Sequence, residues 1–328
     1  MIRNQWYVVL ESKEVRQKLV GVKRLNENLL FWRDETGKVI CFVDHCPHRG
    51  VALSAGKVLD NHHVQCPFHG LEFDNEGRCT VIPANGFSAD VPSNFYIKRY
   101  LTHEQDGFIW IFWGDEAKSV EKPLFFSSLS SLAYRTRQDV WKAHYSRVIE
   151  NQLDCAHVPF IHRKTIGRGG NTLVDGPLVT WKGDRQMMMY VFNKKDDGTV
   201  PLKPEQLNEK DEDEQRIEFI FPNLWQNFIQ AKMRVVVAFV PVDGETTIMY
   251  LRFYQGFLMI PILESFLFAL FMPYNLKIAH EDRRVVETQQ PKVSALMMKE
   301  NLFQADLPIV EFRKKRDELL RNSKNYFA

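Results

Sequence analysis

Two short loops constrain this chain more than any other feature. Residues 46–50 read Cys46-Pro47-His48-Arg49-Gly50, and residues 66–70 read Cys66-Pro67-Phe68-His69-Gly70. Each loop offers one thiol and one imidazole, each sets Pro directly after Cys, and each closes on Gly; 17 residues lie between His48 and Cys66. Proline stiffens such a loop and glycine permits the tight turn it needs.

A Cys2His2 set built this way is open to three readings. Zinc accepts these donors, but common zinc modules pair Cys with Cys and His with His along the chain, whereas here the order alternates. Alternation means that each loop supplies one ligand of each kind. That suits a binuclear 2Fe–2S cluster with both thiolates on one iron and both imidazoles on the other. The third reading, unrelated core cysteines and surface histidines, does not account for two matching loops. Cys41, Cys79 and Cys155 read as ordinary small core residues. Five cysteines in 328 residues are too few for a disulfide scaffold, and the number is odd. The first residues carry no apolar run of signal-peptide length, so a reducing, cytoplasmic setting is expected.

The loops sit in a segment of short strands. Residues 6–10, 28–32, 39–43 and 108–113 are rich in β-formers, and Asp74-Asn75-Glu76-Gly77 separates 71–73 from 79–81 as a hairpin would. The polar stretch 114–123 reads as a boundary, giving domains over 1–115 and 116–328. Beyond it, 141–157 has helical character, while 178–192 and 233–254 carry strand-like runs. Residues 194–215 read as a charged surface loop. With 24 Phe and 45% apolar residues there is material for a large core. Lys plus Arg is 43 against 41 Asp plus Glu, a balance that excludes a dedicated nucleic-acid binder. Residues 257–272 are nearly all apolar but too short to span a bilayer and interrupted by Glu264 and Ser265. They read as a buried or pocket-lining segment, with a peripheral membrane contact as the lesser alternative.

A second constellation follows the boundary: Glu150-Asn151-Gln152-Leu153-Asp154-Cys155-Ala156-His157-Val158-Pro159-Phe160-Ile161-His162. On a helix, Glu150, Asn151, Asp154 and His157 share one face. His157 and His162 would diverge by about 140° on an unbroken helix, but Pro159 between them breaks or distorts it and lets both imidazoles converge. Two His and a carboxylate with open positions form the facial triad of oxygen-activating ferrous enzymes.

Cys-x-His, 17 residues, then Cys-x-x-His, followed by Asn-x-x-Asp-x-x-His-x-x-x-x-His, resembles the Rieske non-heme iron (ring-hydroxylating) oxygenases, catalytic subunit, and within them the short single-subunit-type monooxygenases and O- or N-demethylases. Val51 and Phe68 stand where respiratory Rieske proteins have a second Cys in each loop. The resemblance covers essentially the whole chain. It implies an α+β protein: a β-rich Rieske 2Fe–2S domain, then a mixed α/β catalytic domain with an antiparallel sheet and helices. It implies that Cys46, His48, Cys66 and His69 hold the cluster and that His157 and His162 hold mononuclear Fe(II).

The family takes its third iron ligand from a later helix. On a helical wheel over residues 274–290, Asp282 falls with Asn275, Ile278, Ala279, Val285, Val286 and Gln289. Lys277, His280, Arg284, Glu287 and Thr288 lie opposite, with Glu281 at the margin. Asp282 is therefore the expected ligand. The resemblance further implies that Asp154 links a cluster His of a neighbouring subunit, His69 or His48, to a catalytic-site His within a homotrimer, and that Asn151 supports the iron. It implies dioxygen as co-substrate and electrons from NAD(P)H through a reductase or ferredoxin. Hydroxylation, demethylation and cis-dihydroxylation all occur in the family; the Phe- and Met-rich stretch before Asp282 favours a lipophilic or aromatic substrate. A non-catalytic Rieske electron carrier and a zinc-stabilised binding module are the rivals from other classes.

Overall fold

A computed structural model of the chain describes residues 1–118, 122–208, 214–258 and 260–324. Residues 209–213 of the charged loop, 119–121 of the boundary stretch, and Met259 lie outside them. The chain divides into two compact units, Arg3–Pro123 and Leu124–Ala328.

The first unit is built from antiparallel strands. Gln5–Glu11, Phe108–Trp113 and Thr102–Gln105 form one sheet with Phe108–Trp113 at its centre. A central strand covered on both faces accepts the unbroken apolar run Phe-Ile-Trp-Ile-Phe-Trp, and five of its six residues are buried. Val20–Arg24, Glu27–Arg33, Val39–Val43 and Arg99–Tyr100 form a second sheet; Lys57–Val58, Val64–Gln65, Glu72–Phe73 and Cys79–Val81 form a third. Trp32, Phe42, Leu53, Val64 and Phe73 pack in one cluster with Cys46 and Cys66. The bases of both Cys-His loops are thus core, and the loops rise from a fixed floor. Cys41, Cys79 and Cys155 are buried free thiols.

The second unit holds a seven-stranded antiparallel sheet, in spatial order Ala133–Trp141, Thr247–Gln255, Met233–Pro241, Leu224–Gln230, Arg216–Ile220, Gln186–Lys194 and Leu173–Lys182. Among the described residues four helices accompany it: α1 (Tyr145–Leu153), α2 (Val158–Ile161), α3 (Pro261–Val286) and α4 (Leu307–Lys324). The helix expected over 141–157 is shorter, because residues up to Trp141 belong to the edge strand. His144 then caps α1, its Nδ1 accepting from the Ser146 N–H. Burial and then the charge of Arg316 hold that imidazole down to about 4, so it stays neutral and able to accept. A buried ion network ties α1 to α4. Glu150 accepts from Arg147 at 3.1 Å and from Arg313 at 2.8 and 2.9 Å, and Glu300 bridges both arginines. Removing one arginine would leave Glu150 buried without its full complement, a loss on the order of 3–5 kcal/mol.

Two expectations fail here. The shared helical face of Glu150, Asn151, Asp154 and His157 does not exist, because α1 ends at Leu153 and Asp154 is extended. The stretch 257–272 is not buried as a segment: from Pro261 it forms the start of α3, where Ile262, Phe266 and Leu270 are 81%, 72% and 63% exposed and, among the described residues, only Phe268 and Met272 are buried, although Phe271 does line a pocket as expected.

Candidate metal centres

Both Cys-His loops fold to one hydrogen-bond plan. The Cys46 N–H donates to Val51 O and the Gly50 N–H returns to Cys46 O; the Cys66 N–H donates to Leu71 O and the Gly70 N–H returns to Cys66 O. The closing glycines take φ of +76° and +73°, a left-handed turn that a side chain would strain. At Gly50 an added Cβ would also come within 2.9 Å of the His45 ring. The thiols are buried side by side, while His48 and His69 are exposed with ring centroids 4.6 Å apart. Burial pushes Cys46 up to about 11, against loop N–H groups of His48 and Arg49 that pull it down. A cation is needed to draw off that proton.

Among the described residues, His157, His162 and Asp282 are the group of three such donors with atoms within 4.8 Å of one another. Cys46 and Cys66 are buried while His48 and His69 are exposed, so the donors present a thiol pair and an imidazole pair. A thiol pair beneath an imidazole pair suits a binuclear cluster.

The second centre is assembled from distant segments. Asp154 ends α1 and starts the next turn, its Oδ1 accepting from the N–H groups of Ala156 (2.7 Å) and His157 (3.3 Å). Pro159 does not break a longer helix. It stands in the first turn of α2, where its missing N–H costs nothing. His157 and His162 flank that single turn and point the same way: their Nε2 atoms are 3.3 Å apart. Asp282 arrives from α3 with Oδ1 at 3.3 Å from His157 Nε2 and 3.0 Å from His162 Nε2. Ligands about 2.1 Å from one ion sit about 3.0 Å apart at adjacent octahedral corners. The three atoms, 3.0–3.3 Å apart, are close enough to share one such ion. That is a fit for a 2-His-1-carboxylate iron.

The surroundings support the ligands unequally. The Asn151 and Gln152 amides donate to Asp282 Oδ1 and Oδ2 at 3.4 and 3.3 Å. His162 Nδ1 meets Glu281 Oε2 at 2.8 Å, and Thr165 donates to the same oxygen at 2.7 Å. His157 Nδ1 has only Asp154 Oδ2, at 3.6 Å, beyond a good hydrogen bond. Burial alone would push His157 down, but Asp154 and Asp282 hold it up at about 9; burial would raise Asp282, but the two imidazoles hold it down at about 2. His162 is raised in the same way by Asp282 and Glu281 against its burial. Without a metal the triad is a proton-bridged cluster, and a metal replaces the proton. Gln152 and Glu281 were missed as partners in the sequence. Glu281 was visible at the margin of the Asp282 face, yet nothing local showed that it reaches across to α2.

A cavity of about 310 Å³ opens on the triad. Its wall shows the period-two alternation of strands. Trp225, Asn227 and Ile229, then Met233, Val235 and Val237, then Met249, Leu251 and Phe253 face inward from three adjacent strands. Phe271, Tyr274, Asn275, Ile278 and Ala279 of α3 close the other side. Besides the triad and Asp154, the lining carries the amides of Asn151, Gln152, Asn227 and Asn275 and the Tyr274 hydroxyl in a largely apolar wall.

Comparison with known proteins agrees with this arrangement. The family described as the Rieske [2Fe-2S] domain matches residues 5–93, and the vanillate O-demethylase oxygenase C-terminal domain matches residues 141–322. Chlorophyllide a oxygenase of Chlamydomonas reinhardtii is 36% identical over 51% of this chain and 26% of its own length. The oxygenase component of dicamba O-demethylase from Stenotrophomonas maltophilia is 31% identical over 58% of this chain and 56% of its own. The chain thus spans between about a quarter and a little over half of these relatives. Among solved structures, NdmA of Pseudomonas putida CBB5 superposes with a TM-score of 0.78 at 22% identity, covering 98% of this chain and 94% of that one. At that identity the likeness speaks for the fold.

Proposed function

The chain belongs to the Rieske-type oxygenases that carry a vanillate O-demethylase-type C-terminal domain, and on that premise we propose that it hydroxylates or oxidatively demethylates a lipophilic or aromatic small molecule. The observation that carries this reading is the convergence of His157, His162 and Asp282 on the wall of a largely apolar cavity. Cys46, His48, Cys66 and His69 hold the 2Fe–2S cluster, and the triad holds Fe(II). When bound, the cluster supplies electrons singly and the ferrous iron supplies dioxygen activation.

The chain's own residues set the conditions for that chemistry. The strand-built wall and α3 hold an apolar substrate beside the triad and exclude water, which strengthens every electrostatic interaction within. Asn151 and Gln152 orient the Asp282 carboxylate. Glu281 with Thr165 holds His162 by its Nδ1–H, leaving Nε2 as the ligand atom. Asp154 is half-buried beside the otherwise unpartnered Nδ1 of His157. In a homotrimer it links His157 to His69 or His48 of a neighbouring subunit, and the exposure of both cluster imidazoles supports that role. A cytoplasmic ferredoxin or reductase draws on NAD(P)H to feed the cluster.

The test is iron counting followed by turnover. About three irons per chain, a visible 2Fe–2S spectrum and oxygen-dependent conversion of a lipophilic compound with a surrogate reductase are expected. Two irons per chain and no oxygen consumption would make the protein an electron carrier instead.

A further inference from the structure

We infer that the first half of α3 is a membrane-surface element, its outward face seated in the headgroup–acyl boundary of an anionic bilayer. An 18-residue window of this helix has a mean hydropathy of 1.3, yet only 17% of it is buried. A core helix of that composition would be covered. The exposed face follows helical spacing: Leu263, Phe266 and Leu270 form a stripe, with Ile262 beside it at 81% exposure. Glu264 is the sole charged residue from 257 to 276. It is turned away and paired with Arg135 at 3.2 Å, its side chain 15% exposed, so covering this face strips no free charge.

The stripe then changes character. Continuing from Leu263 and Leu270 in steps of seven, it meets Lys277 and Arg284, both exposed. Apolar side chains followed by cations along one line match acyl chains below an anionic headgroup layer. The helix cannot cross the bilayer. Its second half is fixed in the protein by Ala279, the triad's Asp282 and Val286, all buried, and its start follows the strand Thr247–Gln255 after five residues. It can only dip its first half into the surface at a tilt, which leaves Lys277 and Arg284 at the headgroup level. A protein partner is the poorer match, because protein interfaces carry roughly one hydrogen bond per 100–200 Å², and Ile262, Leu263, Phe266 and Leu270 offer no side-chain donor or acceptor. The flank of the same helix beside this stripe lines the cavity through Phe271, Tyr274 and Ile278. A bilayer-dissolved substrate would meet the cavity there. That route rests on the function proposed above; the surface itself does not.

The experiment is co-sedimentation of the full chain with phosphatidylcholine vesicles and with vesicles containing phosphatidylglycerol, read without turnover. The wild-type chain is expected to pellet with the anionic vesicles. The double substitution Phe266→Asp/Leu270→Asp should lower partitioning at least tenfold, and Arg284→Glu should lower it several-fold on anionic vesicles only. Both are exposed changes, and iron retained on the triad, counted at about three irons per chain, reports an intact second unit. Independently, Ile262→Cys carrying an environment-sensitive dye should shift to the blue on vesicle addition. A wild-type chain that stays in the supernatant overturns the inference, as does a double variant that binds unchanged or a dye that does not shift. Loss of an oligomer in the double variant, with no vesicle binding by the wild type, would assign the face to a second copy and also overturn it.

Discussion

The two metal centres are built in opposite ways. The Cys-His loops are local: each repeats the same pair of backbone hydrogen bonds, each turns on a left-handed glycine, and all four donors lie within a stretch of 24 residues, 46–69. The triad is assembled: His157 and His162 flank one turn of α2, while Asp282 comes from another helix more than a hundred residues further along. A local site is specified by its own loop. An assembled site depends on every element that sets α2 and α3 against each other, and on the side chains that aim its ligands.

The sharpest way to break this contrast is Asp282→Ala. It should empty the assembled site and leave the local one untouched, so that iron falls from about three to about two per chain and turnover reaches background while the visible spectrum survives. Cys66→Ser is the converse. The cluster absorption should vanish, and about one iron per chain should remain on the triad. Loss of that iron too would mean that the two centres are not independent.

Asp154→Asn probes the link proposed between the centres of neighbouring subunits. Both metals should stay bound, and turnover should fall on the order of 10–100-fold in steady-state assays. Unchanged turnover would reduce Asp154 to the acceptor that shapes the turn before α2. Glu281→Gln should have a smaller effect, because the amide oxygen still accepts from His162 Nδ1; about tenfold weaker iron retention against a chelator is expected.

The smallest effect is a pH dependence that separates the metal-free from the iron-loaded protein. The folded-state pKa of His157 is raised to about 9 by Asp154 and Asp282 against its burial. The stabilisation from this raised group is fully present below the ordinary histidine pKa of about 6.5 and is lost as pH climbs through about 9. The metal-free protein should therefore lose thermal stability over that window. The iron-loaded protein, whose His157 carries no such proton, should not. Parallel melting curves of the two forms would show that the proton does not take the metal's place.

The contrast also explains what was readable in advance. Donors fixed by their immediate neighbours are visible as spacing, so Cys46, His48, Cys66 and His69 stand out without any fold. Asp282 was reachable because helical periodicity turns sequence into a face. Asp154 and His157 mark the limit of that reasoning: a continuous helix placed them on one face, but the Asp154 carboxylate caps the following turn and ends the helix that the wheel assumes. Glu281 and Gln152 lay beyond it, because each acts on a ligand from another segment, and no periodicity describes a contact between two helices.

The sequence by itself determined which atoms are available to bind metal, that the first unit is a β structure with two matched loops, and that the family is a Rieske-type oxygenase. Those properties rest on residue type and short spacing, which survive without coordinates. Tertiary structure alone decided that α1 stops at Leu153, that His162 is tightly held while His157 is left loosely partnered, and that strand alternation and α3 enclose a cavity at the triad. It also decided that the apolar start of α3 faces outward. Composition marks that stretch as one that avoids water, but only packing assigns which side of it the protein covers.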